Sequence, residues 1–267
     1  MMKKLFLIAI ACIIIGVIGI SQTYEKAVQT AEKGDKENVI KNETLKNIEV
    51  KLDAGDIIVQ KSPDSSFYVK QSGDVRKQEI RIAEDGDTLK IIGEREKGAS
   101  FDFSFYDFRF QTSKLTLLVP ERSYQDVKVN SSAGQIEMSD VKSDSVSVRI
   151  LAGEVELKQV TAKNVEGSTK AGEVNFKKVL GKVTAKTTSG EINIQDHDSK
   201  YNLEASSTAG DIDITLSEKP QDAVITGQSA AGDVTIFNEE NKNVTIGNGS
   251  KKISGKTAAG DVTIETR

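Results

Sequence analysis

From about residue 45 onward, apolar residues recur in two short alternating runs separated by a glycine. Counting from that glycine, the second position after it holds Ile57, Ile136, Val155, Val174, Ile192, Ile212, Val234 and Val262. The fourth holds Val59, Met138, Leu157, Phe176, Ile194, Ile214, Ile236 and Ile264. The seventh before it holds Ile48, Val127, Val146, Val165, Val183, Leu203, Ile225 and Ile253, so every one of these positions is apolar. Residues between them are mostly polar, which is the period of two expected of half-buried strands. Inward positions are odd before the glycine and even after it. A flat strand cannot slip phase in this way without turning its apolar set outward. A corner can, and glycine permits the backbone angles it needs. An Ala precedes the glycine in seven copies and Ser189 in the other, a small residue that leaves room for a neighbouring chain.

Successive glycines from Gly134 to Gly260 are 19, 19, 18, 20, 22 and 28 residues apart. Self-similarity at a period near 20 residues marks a solenoid, each repeat forming one rung of two strands and two corners. Stacked rungs explain a column of Ser131, Thr169, Thr187, Ser207, Ser229 and Thr257, whose hydroxyls can bond along the stack. Loops at Glu218–Gln221 and Asn238–Asn243 absorb the longer spacings. A sandwich built from a meander of hairpins is the alternative, but it needs a tight reversing turn after every strand. Asp85-Gly86 and Asn248-Gly249 are the pairs that offer one.

Between Gly55 and Gly134 the pattern is interrupted. Ser72-Gly73-Asp74-Val75 resembles a decayed corner, and Ile80–Ile82 and Leu89–Ile91 flank Asp85-Gly86 as a hairpin. A ribbon from Phe101 to Phe110 follows, with Phe101, Phe103, Phe105, Tyr106, Phe108 and Phe110, in a chain of nine Phe and five Tyr. It serves either as a plug over the first rung or as an exposed contact for membrane or ligand. Residues 60–120 are therefore an atypical insert or cap.

The N-terminus reads differently. Lys3 and Lys4 precede an uncharged run from Leu5 to Ile20, the pattern of a signal peptide or of one transmembrane helix. The run is slightly short for a span, which needs about 20 residues. Residues 1–23 are expected to be this anchor or a cleaved signal, with residues 5–20 in the membrane and the rest exported. Cys12 lies inside the run, where lipid attachment would be expected to end the apolar segment. Residues 24–44 are polar and read as a spacer, and residues 45–267 as the repeat domain.

Composition narrows the chemistry. A net charge of −4 offers no basic footprint for nucleic acid. One Cys excludes disulfides within the chain and thiolate metal sites. His197 stands alone in Gln195-Asp196-His197-Asp198-Ser199, where a solvated loop residue is expected, and no phosphate loop is present. The position after the glycine holds Asp56, Gln135, Glu154, Glu173, Glu191, Asp211, Asp233 and Asp261. Like charges about 4.8 Å apart repel, so something must compensate. Turn amides can do this, and calcium is the alternative, with Asp211, Asp233 and Asp261 as candidate ligands. The acids recur too evenly for a glycosidase pair to stand out. Lys158, Lys163, Lys170, Lys177, Lys178, Lys182 and Lys186 could form a basic patch for anionic wall polymer.

Leu117-Leu118-Val119-Pro120, then Val127 to Ile136, and the serial Ala/Ser-Gly-acid corners resemble the bacterial putative-adhesin β-repeat family, a DUF4097-type domain of unknown function. The likeness spans roughly residues 45–267 and implies no catalytic residues. With the N-terminal anchor, the layout is also similar to LiaG-type membrane-anchored envelope-stress proteins. The expected fold is all-β: a right-handed parallel β-solenoid of about eight rungs with a hairpin-rich insert, after one transmembrane helix. The expected function is non-catalytic binding, adhesion or sensing at the cell envelope, without cofactor or nucleic acid. Its expected partners are the membrane and a wall polymer or envelope protein. The alternative is an assembly protein that associates through an open C-terminal rung.

Overall fold

A computed structural model describes residues 36–73, 78–95 and 113–267. The anchor or signal segment, the Asp74-Val75 half of the decayed corner and the aromatic ribbon from Phe101 to Phe110 lie outside the described residues. Among the described residues there are strands and no helices, hence none long and apolar enough to cross a membrane.

Seven strands precede the regular repeats: β1 (Lys36–Ile40), β2 (Asn47–Leu52), β3 (Asp56–Lys61), β4 (Phe67–Ser72), β5 (Gln78–Asp85), β6 (Thr88–Arg95) and β7 (Lys114–Val119). Then come β8 (Ser123–Ser139), β9 (Lys142–Lys158), β10 (Thr161–Ser168), β11 (Val174–Lys177), β12 (Leu180–Lys186), β13 (Ile192–His197), β14 (Leu203–Ser206) and β15 (Ile212–Leu216). The last five are β16 (Ala223–Ala231), β17 (Val234–Ile236), β18 (Asn243–Ile246), β19 (Lys251–Ala259) and β20 (Val262–Thr266). β1 falls within the stretch expected to be spacer.

Strands that precede the corner glycine form one parallel ladder and strands that follow it form another. Val146, Val165, Val183 and Leu203 stand in one register. So do Val155, Val174, Ile192 and Ile212. Each repeat position therefore stacks on its equivalent, and the hairpin-meander alternative is set aside. The three apolar columns define the core, none of their residues being more than 6% exposed. Each such side chain contributes about 1.5–3 kcal/mol on burial. The Ile80–Ile82 and Leu89–Ile91 hairpin forms as expected, as β5 antiparallel to β6.

The order of stacking departs from the order of the chain at both ends. β6 and β7 do not follow the β2/β3 rung toward β8; they pair with its far side, while β8 pairs with its near side. At the other end, β19 and β20 lie directly on β14 and β15. β16 and β17 then lie on the outer side of β19 and β20. In space the corners run Gly210, Gly260, Gly232. The Gly260 rung has both edges paired, so the open C-terminal rung expected as an association site is not there. An antiparallel hairpin explains the order: β18 folds back on β16 and occupies its outer edge. β19 can then reach β16 only from the inner side. Among the described residues the outermost strands are β5 and β1 at one end and β18 and β17 at the other. β17 is three residues long and β18 four, and short edge strands discourage edge-to-edge pairing.

Candidate functional site

The corner is the most repeated local structure, and its parts now have definite roles. Every corner glycine has positive φ, from 117° at Gly55 to 146° at Gly232. A Cβ at Gly172 would stand 2.1 Å from the carbonyl oxygen of Gly153, and one at Gly190 2.0 Å from that of Gly172. Close approach between rungs therefore occurs at the glycine, whereas Ala152, Ala171, Ala209 and Ala259 line up beside it on the exposed surface. The Ser/Thr column, apart from Ser131, which donates to Ala133 O at 3.1 Å, bonds to this same carbonyl row, not to itself. Thr169 donates to Gly153 O at 3.2 Å, Thr187 to Gly172 O at 3.2 Å and Ser207 to Gly190 O at 3.3 Å. Thr257 donates to Gly210 O at 3.0 Å and Ser229 to Gly260 O at 2.7 Å, repeating the spatial order of rungs.

A second corner, six residues after the glycine, was not legible as such in the sequence. Asp140, Gln159, Lys178 and Asp196 adopt φ between 54° and 57°, a left-handed conformation that costs a non-glycine residue about 1–2 kcal/mol. The following residue turns inward, giving the buried column Val141, Val160, Val179 and His197. His197 is thus 1% exposed rather than solvated. Its Nε2 lies 3.2 Å from the carbonyl oxygen of Tyr201, so Nε2–H is the donor, and Nδ1 has no partner. Burial holds its pKa below the ordinary value, against the pull of that carbonyl and of Asp198. Burial removes this imidazole from contact with solvent. Asp196, Asp198, Lys178, Leu180, Ser217 and Arg267 line a shallow outer groove of about 350 Å³ over this corner. Arg267 Nη1 sits 3.4 Å from Asp196 Oδ1 there.

The acidic column takes up turn amides at Asp56, Asp211 and Asp261. Asp56 Oδ1 accepts from the Gln135 N–H at 3.0 Å. Asp211 Oδ1 accepts from the Asp261 N–H, and Asp261 Oδ1 from the Asp233 N–H, both at 2.8 Å. Amides thus offset the stacked charge. The three calcium candidates are neighbours in space, in the order Asp211, Asp261, Asp233. Among the described residues no group of three or more His, Cys, Asp or Glu is arranged to hold a metal. Charge still accumulates beside them: the Asp213 carboxyl is pushed up, first by desolvation, then by Asp211, Glu265 and Asp261, against a hydrogen bond with Thr263.

The lysines do not form one patch. Lys158 and Lys177 share a register on the second ladder, and Lys178 stands at its corner. Lys163, Lys182 and Lys186 belong to the first ladder. Lys158 is paired with Glu156 at 2.7 Å and Lys163 with Asp144 at 2.9 Å. The candidate contact residues Phe101, Phe103, Phe105, Tyr106, Phe108 and Phe110 lie outside the described residues.

Sequence reasoning passed over Arg122. Its guanidinium lies against the rings of both Phe67 and Tyr124, 5.3 and 5.4 Å from their centroids. It donates to the carbonyl oxygens of Glu43, Asn42 and Leu45. Tyr124, whose hydroxyl donates to Pro120 O, has its pKa pushed up to about 12 by burial, although Arg122 opposes the shift. This cluster fastens the crossing from β7 to β8 onto the entry of β2, and the Arg122 Nε–H is buried within it without a hydrogen-bond partner.

A family model described as Toastrack DUF4097 matches residues 45–265. No curated protein matches the chain. Among solved structures, a putative adhesin from Bacteroides fragilis is 15% identical with a TM-score of 0.49, over 88% of this chain and 98% of that one. A putative adhesin from Parabacteroides distasonis is 15% identical with a TM-score of 0.43, over 89% and 98%. A structure from the same species, named a putative lipid binding protein, is 16% identical with a TM-score of 0.39, over 88% and 95%.

Proposed function

The chain belongs to the Toastrack DUF4097 family, and from that premise we propose that it is a non-catalytic binding module of the bacterial cell envelope. The observation that carries this reading is where the polar chemistry goes. Corner hydroxyls and the Asp carboxylates at Asp56, Asp211 and Asp261 are spent on backbone groups of adjacent rungs. The one imidazole is sealed in the core. What is left for recognition is the pair of long outer faces, along which side chains repeat at strand spacing.

In this reading the domain is a right-handed solenoid of about eight glycine-cornered rungs, carried outside the cell on a single transmembrane helix within residues 1–23. That layout is the one shared with LiaG-type proteins. Adhesion or sensing follows from display of the faces to wall polymer or to an envelope protein. The acid-rich second ladder and the mixed first ladder make the first ladder, with Lys182 and Lys186, the face for an anionic polymer. The test is binding of the domain, residues 36–267, to isolated envelope fractions and to purified anionic wall polymer at low and high salt. Salt-sensitive binding weakened by Lys182→Glu with Lys186→Glu supports the reading. No binding to any envelope fraction at low salt refutes it.

A further inference from the structure

The rung that is out of order raises a question the proposed function leaves untouched: what else can fill its place. β19 and β20 lie in a slot with rung edges on both sides. Gly210 N–H donates to Ala259 O at 2.8 Å on one side, and Gly260 N–H to Ala231 O at 2.9 Å on the other. Both walls present the same corner, Ala209-Gly210-Asp211 and Ala231-Gly232-Asp233, with the same column of apolar residues behind it. Nothing in the slot distinguishes the chain's own rung from an identical rung of another molecule.

The connection into the slot is short. Ile246 ends β18 outside β16, and Lys251 begins β19 inside it, so the chain crosses two strand spacings, about 10 Å. Five residue steps extended reach about 17 Å. The crossing is bent: Gly247 and Gly249 have φ of 63° and 72°. A Cβ at Gly249 would stand 2.7 Å from Val224 Cγ2, and one at Gly247 2.6 Å from Gln221 O. The bend is held by the Ser250 N–H donating to Asp222 Oδ1 at 3.2 Å. A short hinge ahead of an element with a complete acceptor site favours exchange between copies.

We propose that the slot between the Gly210 and Gly232 rungs is an exchangeable acceptor, filled by residues 251–267 of the same chain in the monomer and of a second copy in a symmetric dimer. The short hinge fixes the geometry of that dimer. The β18 ends of the two molecules face each other, because a straightened crossing reaches no further. Every rung contact is conserved in the exchange, so its extent is set by concentration and by the conformation of the bend.

Thiols at the corner test it in the full chain carrying Cys12→Ala. One version carries Asp211→Cys and the other Asp261→Cys. Corner residues on adjacent rungs have Cα atoms about 4.8 Å apart, within disulfide range of about 4.4–6.8 Å. The two versions are opened together in mild denaturant at high protein concentration, returned to buffer and oxidised. Disulfide between unlike chains is expected in clear excess of pairing between like chains. Adding Gly249→Val to both, which disfavours the bend, is expected to raise that product several-fold. A single chain carrying both substitutions closes internally and shows that the thiols report the slot. Random pairing of like and unlike chains, or no intermolecular product while the double variant closes internally, overturns the proposal. Failure of the double variant to close overturns it too, since the slot would not be occupied as described.

Discussion

At the residue scale, the glycine corner is set by two independent requirements. Its φ is one that L side chains rarely adopt, and its Cα faces the carbonyl of the glycine one rung below. Gly172→Ala meets both penalties at once, about 1–3 kcal/mol of backbone strain and about 1–3 kcal/mol for forcing two rungs apart. Urea unfolding of the variant is expected to show a loss of about 3 kcal/mol or more. The alternation of apolar residues already announced this corner, because the phase slip is written in the sequence. The second corner was hidden. Asp140, Gln159, Lys178 and Asp196 span an acid, an amide and a base, and what unites all four is φ. For the same reason His197 read as a loop residue: its neighbours Asp196 and Asp198 are polar, and the inward column it occupies starts after a turn that the pattern does not mark. Its burial has a pH signature. The folded form holds His197 neutral with its pKa lowered, so below the ordinary 6.5 the unfolded chain binds a proton that the folded chain does not. Stability from this group is complete above that value and declines as pH falls from it toward the depressed one. His197→Val, matching Val179 in the column, is expected to flatten that part of a melting-temperature profile.

At the element scale, the sequence specifies what each rung looks like and leaves the order of rungs open. Ala231-Gly232-Asp233-Val234-Thr235-Ile236 and Ala259-Gly260-Asp261-Val262-Thr263-Ile264 are the same word. Either could rest on the Gly210 rung with the same ladder bonds. The selection comes from β18, a four-residue strand whose burial alternates weakly and whose pairing with β16 blocks the outer edge. Replacing Asn243–Ile246 by a Gly-Ser run removes that block. The variant is then expected to populate the sequential order, read by disulfide formation between Asp211→Cys and Asp233→Cys in a Cys12→Ala background. Absence of that disulfide in the variant would mean that another element imposes the order. At the other end the same logic applies to β5, which covers the outer edge of β6. The flanking Asp85-Gly86 turn made that hairpin visible in advance, but its place beyond β2 was not.

For the molecule as a whole, swapped order at both ends has a single consequence: among the described residues the edges are hairpins or short strands, and the side faces are what remains exposed at length. Those faces are where a binding module of this family would meet its partner. On the second ladder Asp56, Asp211 and Asp261 each accept a backbone amide from the adjacent rung. Removal of calcium with a chelator is expected to leave the melting temperature unchanged, and a drop of several degrees would restore calcium as a structural ligand of Asp211, Asp261 and Asp233. The most direct test of the account is the order of the stack itself. In a Cys12→Ala background, cysteine pairs at 211 with 261, 233 with 261 and 211 with 233 are oxidised as the folded, dilute monomer. The out-of-order stack yields disulfides for the first two pairs and none for the third, whose Cα atoms stand about 10 Å apart, beyond the reach of about 7 Å. A disulfide at 211 with 233, together with none at 211 with 261, would show that the rungs stack in sequence order and would contradict the account.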